Sequence, residues 1–389
     1  MKTGGDNFEF ATAGRIIFGP DVIRRAGTLA GELGKRACVI TGGTLKRAAP
    51  LIEELDREGI THITLQVKGE PTTTLIPNLV EEARQAGRDL VIGIGGGSVL
   101  DAGKVIAALL TNRGNLMDYL EVIGKGEKID QPPAPYIAIP TTAGTGAEVT
   151  RNGVLLSPED RVKVSLRSPL MLPRIALVDP LLTLSMPPAV TASTGLDALT
   201  QLLEPYVSRR RNPLTDGICR EGLQRVAHSL RQVYEDGTDV GARSDMSLAS
   251  LFGGLALANA GLGAAHGFAG PLGGMFKAPH GAICARLLPY VMEINLRALR
   301  DREPSSPALL RYREAARILT GNPGATARDG VIWVQNLCHA LSVPPLGGYG
   351  ITSEDVVEVV NKAKNSSSMK GNPIELAEGE LVEILTRAL

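Results

Sequence analysis

The chain has 389 residues, a length that favours two hydrophobic cores over one. Its 41 basic and 41 acidic side chains cancel, so neither nucleic acid nor an anionic membrane surface is an expected partner. Cys38, Cys219, Cys284 and Cys338 form no CxxC pair and read as reduced, buried thiols of a cytoplasmic protein; the first residues carry no apolar signal core, so no export is expected.

Along the first half, short β-branched runs alternate with amphipathic helices. Strands are expected at 36–41, 62–67, 89–94, 135–139 and 175–179, with helices at 49–58, 75–86 and 98–110 between them. A hairpin-like segment falls at 153–166. This βαβα rhythm predicts a parallel, Rossmann-like sheet covered on both faces. Near Ser185 the periodicity becomes helical: 190–207, 213–233, 242–260, 264–276, 289–299, 307–320, 329–341, 352–364 and 380–388. The expected organisation is an α/β domain over residues 1–186 and an all-helical domain over 187–389. Residues 246–276 carry no charge, a length that could span a bilayer. Their eight glycines, with Asn259, His266 and Pro271, fit a buried helix pair better.

The segment GGGSVLDAGK (95–104) joins a strand directly to a helix. Gly95, Gly96 and Gly97 remove every Cβ where backbone would approach a pyrophosphate, and the helix N-terminus there would hold an anion. Ser98 is the expected N-cap, with Asp101 completing a capping-box-like pair. Ser98 also stands where G-x-G-x-x-G has its third glycine, so a tight structural turn is the bland alternative. A second polar turn, PTTAGTGAEVT (140–150), follows the next buried strand and offers Thr141, Thr142, Thr145 and Thr150. In a parallel sheet both turns open at the carboxyl edge, where dinucleotides bind. At the first strand's end Gly42 and Gly43 are followed by Lys46 and Arg47, with no acidic residue to bond the adenosine ribose. NADP(H) is therefore permitted and slightly preferred over NAD(H).

Two of the five histidines, His266 and His280, lie in one glycine-rich, nearly uncharged stretch. Upstream, Asp197 and Gln201 are four residues apart and share a helix face. One carboxylate and two imidazoles form an ordinary site for a divalent ion, with the neutral Gln201 oxygen a weak fourth ligand. Either histidine alone reads more simply as a hydrogen-bonded core residue. His62, His228 and His339 lie in ordinary helix or strand contexts and receive no role.

With these residues in view, the chain resembles the iron-containing (group III) alcohol dehydrogenases over essentially its whole length. The matching motifs are GGGSVLDAGK (95–104), PTTAGTGAEVT (140–150), TGLDALTQLLEPYVS (194–208) and AAHGFAGPLGGMFKAPHG (264–281). The resemblance implies the dehydroquinate synthase-like architecture: an NAD(P)-binding domain, a helical metal domain and an active-site cleft between them, in a homodimer. It places the four metal ligands on Asp197, Gln201, His266 and His280, and a cofactor-side lysine on Lys163. Two positions depart from the family pattern. Gln201 stands where the family has histidine, which opens the choice between Fe2+, Zn2+ and no metal. Gly270 stands where a proton-relaying histidine is common.

The expected activity is hydride transfer between NAD(P)(H) and a primary or secondary alcohol or aldehyde, with Asp197, His266, His280 and Lys163 as catalytic groups. Three alternatives share the architecture. One is a metal-independent reductase resembling maleylacetate reductases, and another a non-redox lyase resembling dehydroquinate synthases. The third is a non-catalytic nucleotide-binding protein.

Overall fold

The computed structural model describes residues 7–389. The chain separates into two compact units. The sheet unit comprises 12–142 and 146–185; the helical unit comprises 186–389, joined by Ala143–Thr145 and the described N-terminal residues through Ala11. Sequence alone draws a single cut, after residue 186, and keeps the two short pieces with the sheet. One reason the N-terminal piece sides with the helices is the amide of Asn259, which accepts from the Ala11 N–H at 2.7 Å and donates to its carbonyl at 2.9 Å.

In chain order the sheet unit contains β1 (Arg15–Phe18), α1 (Ala26–Gly31), β2 (Arg36–Thr41), α2 (Ala49–Arg57), β3 (Thr61–Gln66), α3 (Leu75–Gln85), β4 (Leu90–Gly95), α4 (Gly97–Thr111), α5 (Leu116–Tyr119), β5 (Tyr136–Pro140), β6 (Asn152–Ser157), β7 (Val162–Arg167) and β8 (Ile175–Val178). Six strands pair in the order β1-β8-β5-β4-β2-β3, every pairing parallel. The hairpin-like segment forms the antiparallel pair β6–β7.

Alternation along β2 shows why both faces are covered. Ala37 and Val39 pack with Leu51, Leu55 and Ile92 on one side, whereas Cys38 and Ile40 pack with Ile76, Val80 and Ile106 on the other. A strand buried on both faces must be apolar throughout, as β4 is. The chain runs from β2 outward to β3, then crosses back to β4 on the opposite side of β2. The carboxyl ends of β2 and β4 therefore flank the point where the winding reverses, the usual location for a ligand in an open α/β sheet.

The helical unit contains α6 (Pro188–Val207), α7 (Pro213–Glu235), α8 (Val240–Ala260), α9 (Ala264–Met275), α10 (His280–Arg302), α11 (Pro307–Thr320), α12 (Ala327–Ala340), α13 (Val356–Lys364) and α14 (Glu378–Ala388). The uncharged stretch folds as α8 and α9, bent by 100° at the break between them. No single helix among the described residues is long and apolar enough to cross a membrane; the bent pair passes that test only by length and composition.

Three expectations change. Pro289 reads as a helix start in sequence, yet it lies inside α10, which begins nine residues earlier at His280. His280 is therefore the first residue of α10. Helix α4 begins at Gly97 with Gly96 as its N-cap, so Ser98 does not cap it. Finally, Asp101 is not a capping partner: its carboxylate pairs with Lys104 at 2.9 Å and accepts from the Val154 N–H at 3.2 Å.

Candidate active site

In the sheet unit, Gly42 and Gly43 follow β2, and Gly95–Gly97 end β4 and open α4. A Cβ on Gly42 would stand 3.9 Å from Val99 in the first turn of α4, so the two glycine turns are neighbours. Thr141, directly after β5, donates its backbone N–H to the Gly95 carbonyl at 2.9 Å. A Cβ on Gly96 would meet the Thr142 side chain at 3.4 Å. Glycine at the N-cap offers no side chain to the first-turn amides, which leaves this helix end open to an anionic group.

Beside this cradle lies a buried polar knot. The Lys104 ammonium pairs with Asp101 and donates to the Thr150 hydroxyl at 2.8 Å, and that hydroxyl donates to the Ala147 carbonyl. Thr150 is thereby committed to the fold. Lys163, on β7, pairs with Glu70 at 3.0 Å with its side chain only 9% exposed; it is no freely solvated strand lysine. Ser98 occupies the first turn of α4, and Thr145 lies in the short piece grouped with the helical unit.

Three helices, α6, α9 and α10, build the helical unit's cluster. Asp197 and Gln201 project from one face of α6, and Gln201 Nε2 donates to Asp197 Oδ2 at 3.1 Å. His266 is the third residue of α9, and its Nε2 stands 3.4 Å from Asp197 Oδ1. His280 Nε2 stands 3.7 Å from the same oxygen. Gly281 makes this approach possible, because a Cβ there would lie 2.2 Å from the Ser193 carbonyl oxygen on α6. The start of α10 can thus rest directly on the α6 backbone beside Asp197. The His266 and His280 rings lie 5.4 Å apart between centroids.

Two further residues complete the cluster, and the sequence reading misses both. Cys284, one turn after His280, brings Sγ to 3.7 Å from His280 Nε2. One donor atom from each of Asp197, His266, His280 and Cys284 lies within 4.8 Å of the others. Glu204 lies two turns after Asp197 on α6. Its carboxylate accepts from the Gly263 and Ala265 N–H groups at 2.9 and 2.7 Å and from His266 Nδ1 at 2.7 Å. The spacings 197, 201, 204 and 280, 284 were available as one-face signals.

Electrostatically the cluster behaves as a cation site. Burial disfavours the Asp197 carboxylate, but His280 and His266 outweigh it and hold Asp197 below the usual carboxylate range. Burial also opposes a charged His266, yet Cys284, Glu204 and Asp197 together raise it well above an ordinary histidine. For Cys284, burial pushes the thiol up while His266 and His280 pull it lower than normal. Elsewhere burial wins, and Cys38 and Cys338 are pushed up to about 12.

Three buried polar atoms have no hydrogen-bond partner among the described residues in this cluster: Asp197 Oδ1, Gln201 Oε1 and His266 Nε2. Orphaned acceptors are costly in a protein interior. All three are lone-pair donors suited to a metal ion once His266 Nδ1 holds the ring proton, so the residues present fit such an ion.

Known proteins match this chain over nearly its whole length. Residues 13–180 match the family model described as iron-containing alcohol dehydrogenase, and 191–389 match the Fe-containing alcohol dehydrogenase family, C-terminal. The chain is 32% identical to a 1,3-propanediol dehydrogenase of Citrobacter freundii over 98% of each chain. A solved 1,3-propanediol oxidoreductase superposes with a TM-score of 0.91 at 31% identity, over 98% of this chain and 100% of that one. A sulfoacetaldehyde reductase from Bifidobacterium kashiwanohense, solved in complex with NAD+, gives a TM-score of 0.86 at 26% identity over 98% of each chain. The chain belongs to the iron-containing alcohol dehydrogenase family and is an oxidoreductase of alcohols and aldehydes.

Proposed function

We propose that this protein transfers hydride between a nicotinamide dinucleotide and a primary or secondary alcohol or aldehyde, with a divalent metal held by Asp197, Gln201, His266 and His280. The observation that carries this reading is the set of orphaned acceptors on Asp197, Gln201 and His266, with His280 Nε2 beside them. When bound, such an ion supplies Lewis acidity toward the substrate oxygen, and the dinucleotide supplies the hydride chemistry.

The chain's own residues position and exclude. Asp197 contributes the negative charge, and Glu204 holds the His266 ring so that Nε2 faces the cluster. Buried surroundings on α6 and α9 keep competing water away from Asp197 and His266. Gly270, where a Cβ would meet nothing within 4 Å, offers no proton-relaying side chain, so proton exchange falls to water or to a cofactor hydroxyl. The dinucleotide phosphates are assigned to Gly95, Gly96, Gly97 and Ser98, with Gly42, Gly43, Asp101, Thr141, Thr142, Thr145 and Lys163 as further contacts. The NAD+ complex of the sulfoacetaldehyde reductase supports a nicotinamide cofactor. Lys46 and Arg47, both exposed after β2, favour the 2′-phosphorylated form. A higher kcat/KM with NADPH than with NADH, inverted by Arg47→Glu, is the expected result.

His280→Ala tests the metal role directly. Turnover should be abolished while dinucleotide binding, read by fluorescence titration, stays intact. Loss of both or of neither contradicts the assignment.

A further inference from the structure

The metal reading leaves one donor unassigned. Gln201 provides only a neutral oxygen, and its amide nitrogen is already engaged with Asp197. We infer that Cys284 is a metal ligand of this site, its sulfur joining Asp197, His266 and His280 while the neutral Gln201 oxygen is the weaker donor that substrate displaces, and that the site consequently takes a thiophilic divalent ion such as zinc or cobalt in preference to iron. This inference rests on the proposed metal site.

Three edges among the four donor atoms have the lengths a shared metal ion would set, and all four atoms lie within 4.8 Å of one another. Metal–nitrogen bonds of about 2.0–2.1 Å and a metal–sulfur bond of about 2.3 Å, at the tetrahedral angle, set nitrogen and sulfur roughly 3.5 Å apart. Cys284 Sγ and His280 Nε2 are 3.7 Å apart. Two nitrogen–oxygen edges, from His266 and His280 to Asp197 Oδ1, measure 3.4 and 3.7 Å. Placement follows from sequence: residues i and i+4 at the start of α10 share one face, so once Gly281 seats that face against α6, His280 and Cys284 arrive together. Cys284 is fully buried, which confines its sulfur to this cluster.

Charge and softness point the same way. A divalent ion with one carboxylate and two neutral imidazoles as its direct ligands keeps a formal charge of about +1 at the metal, which Glu204 offsets only through the His266 ring. A thiolate removes that charge, which a glutamine oxygen cannot do. A thiolate donor adds to the preference for zinc over Fe2+ that a nitrogen and oxygen set already shows. The competing explanation is a plain thiol that merely donates a hydrogen bond to His280 Nε2.

Cobalt substitution separates the two. The protein is stripped of metal, reloaded with Co2+, and its absorption is compared with that of Cys284→Ser and of Cys338→Ser, a buried cysteine outside the cluster. Ligand-field bands in the visible report that the ion is bound; a near-ultraviolet sulfur-to-cobalt charge-transfer band reports a thiolate ligand. Both should appear in the parent and in Cys338→Ser, and the charge-transfer band alone should vanish in Cys284→Ser. The preference for zinc over iron should also fall about tenfold or more in Cys284→Ser, at least the loss expected for an outer-shell partner. Ligand-field bands without charge transfer in the parent would overturn the Cys284 assignment and leave the metal site standing. No cobalt uptake would overturn both. X-ray absorption at the zinc edge of the unmutated protein gives the answer without relying on a variant: one sulfur at about 2.3 Å supports the assignment, and a shell of nitrogen and oxygen only overturns it.

Discussion

Glu204 accepts a hydrogen bond from His266 Nδ1 at 2.7 Å, and this contact decides which imidazole nitrogen faces Asp197. Backbone donors already occupy both carboxylate oxygens, so Glu204 is an acceptor and the ring proton sits on Nδ1. Substituting Glu204→Gln forces an NH2 group against one of those donors. Metal affinity should fall about 10–100-fold, as for other partners of metal-binding histidines. Stability should drop by about 1–3 kcal/mol from the unsatisfied pair. Chelator competition and urea unfolding measure the two effects; unchanged affinity would separate Glu204 from the metal site.

Gln201→His replaces a neutral oxygen with an imidazole at the position where family members carry histidine. The variant should hold Fe2+ more tightly than the parent, read as slower iron loss to a chelator. An unchanged rate would mean that Gln201 does not face the ion. The two side chains are close in volume, so the buried position on α6 should accept the exchange with a cost below about 1.5 kcal/mol.

The phosphate cradle admits a test independent of metal. A Cβ at Gly96 meets Thr142 at 3.4 Å, an ordinary contact, whereas one at Gly95 would meet Val99 at 2.6 Å. Gly96→Ala should therefore fold with a near-parental melting temperature yet bind dinucleotide at least about tenfold more weakly, about 1.4 kcal/mol. Its metal content should not change. Equal dinucleotide affinity would remove this turn from the cofactor site.

Glu148, buried beside the Lys104 knot, provides a pH signature. Burial raises its carboxyl to about 7, against the opposing pull of its own backbone hydrogen bond and of Lys104. Because the folded value lies above the unfolded one, Glu148 favours folding most below about pH 4.5. That contribution is lost as pH rises toward 7, on the order of 3 kcal/mol in all. Compared with the parent, Glu148→Gln should flatten the fall in stability across this window. Identical pH–stability curves for the two proteins would contradict it.

Long periodic segments were legible from sequence because burial imposes their pattern. Strand β2 matches its expected span, and the unbroken apolar run Ala37 to Ile40 reflects two covered faces. Strand β1 escapes detection because only four residues form it, and Arg15 and Ile16 are exposed. The start of α10 was hidden by Pro289, read as a helix start, although the helix tolerates it internally. At the metal cluster, Asp197, Gln201, His266 and His280 stand out as rare polar groups in apolar stretches. Glu204 and Cys284 do not. A glutamate on a helix is ordinary in sequence, and a buried cysteine normally packs as a small hydrophobe; only the tertiary approach of α9 and α10 to α6 gives either a partner.

Metal analysis of the purified protein, combined with nicotinamide turnover on short-chain alcohols and aldehydes before and after chelation, tests the central claim most directly. The site described here predicts one bound iron or zinc ion per chain, with turnover lost on chelation and restored by adding metal. Metal-free protein whose turnover ignores chelators would contradict it and make Asp197, His266 and His280 substrate-binding groups instead.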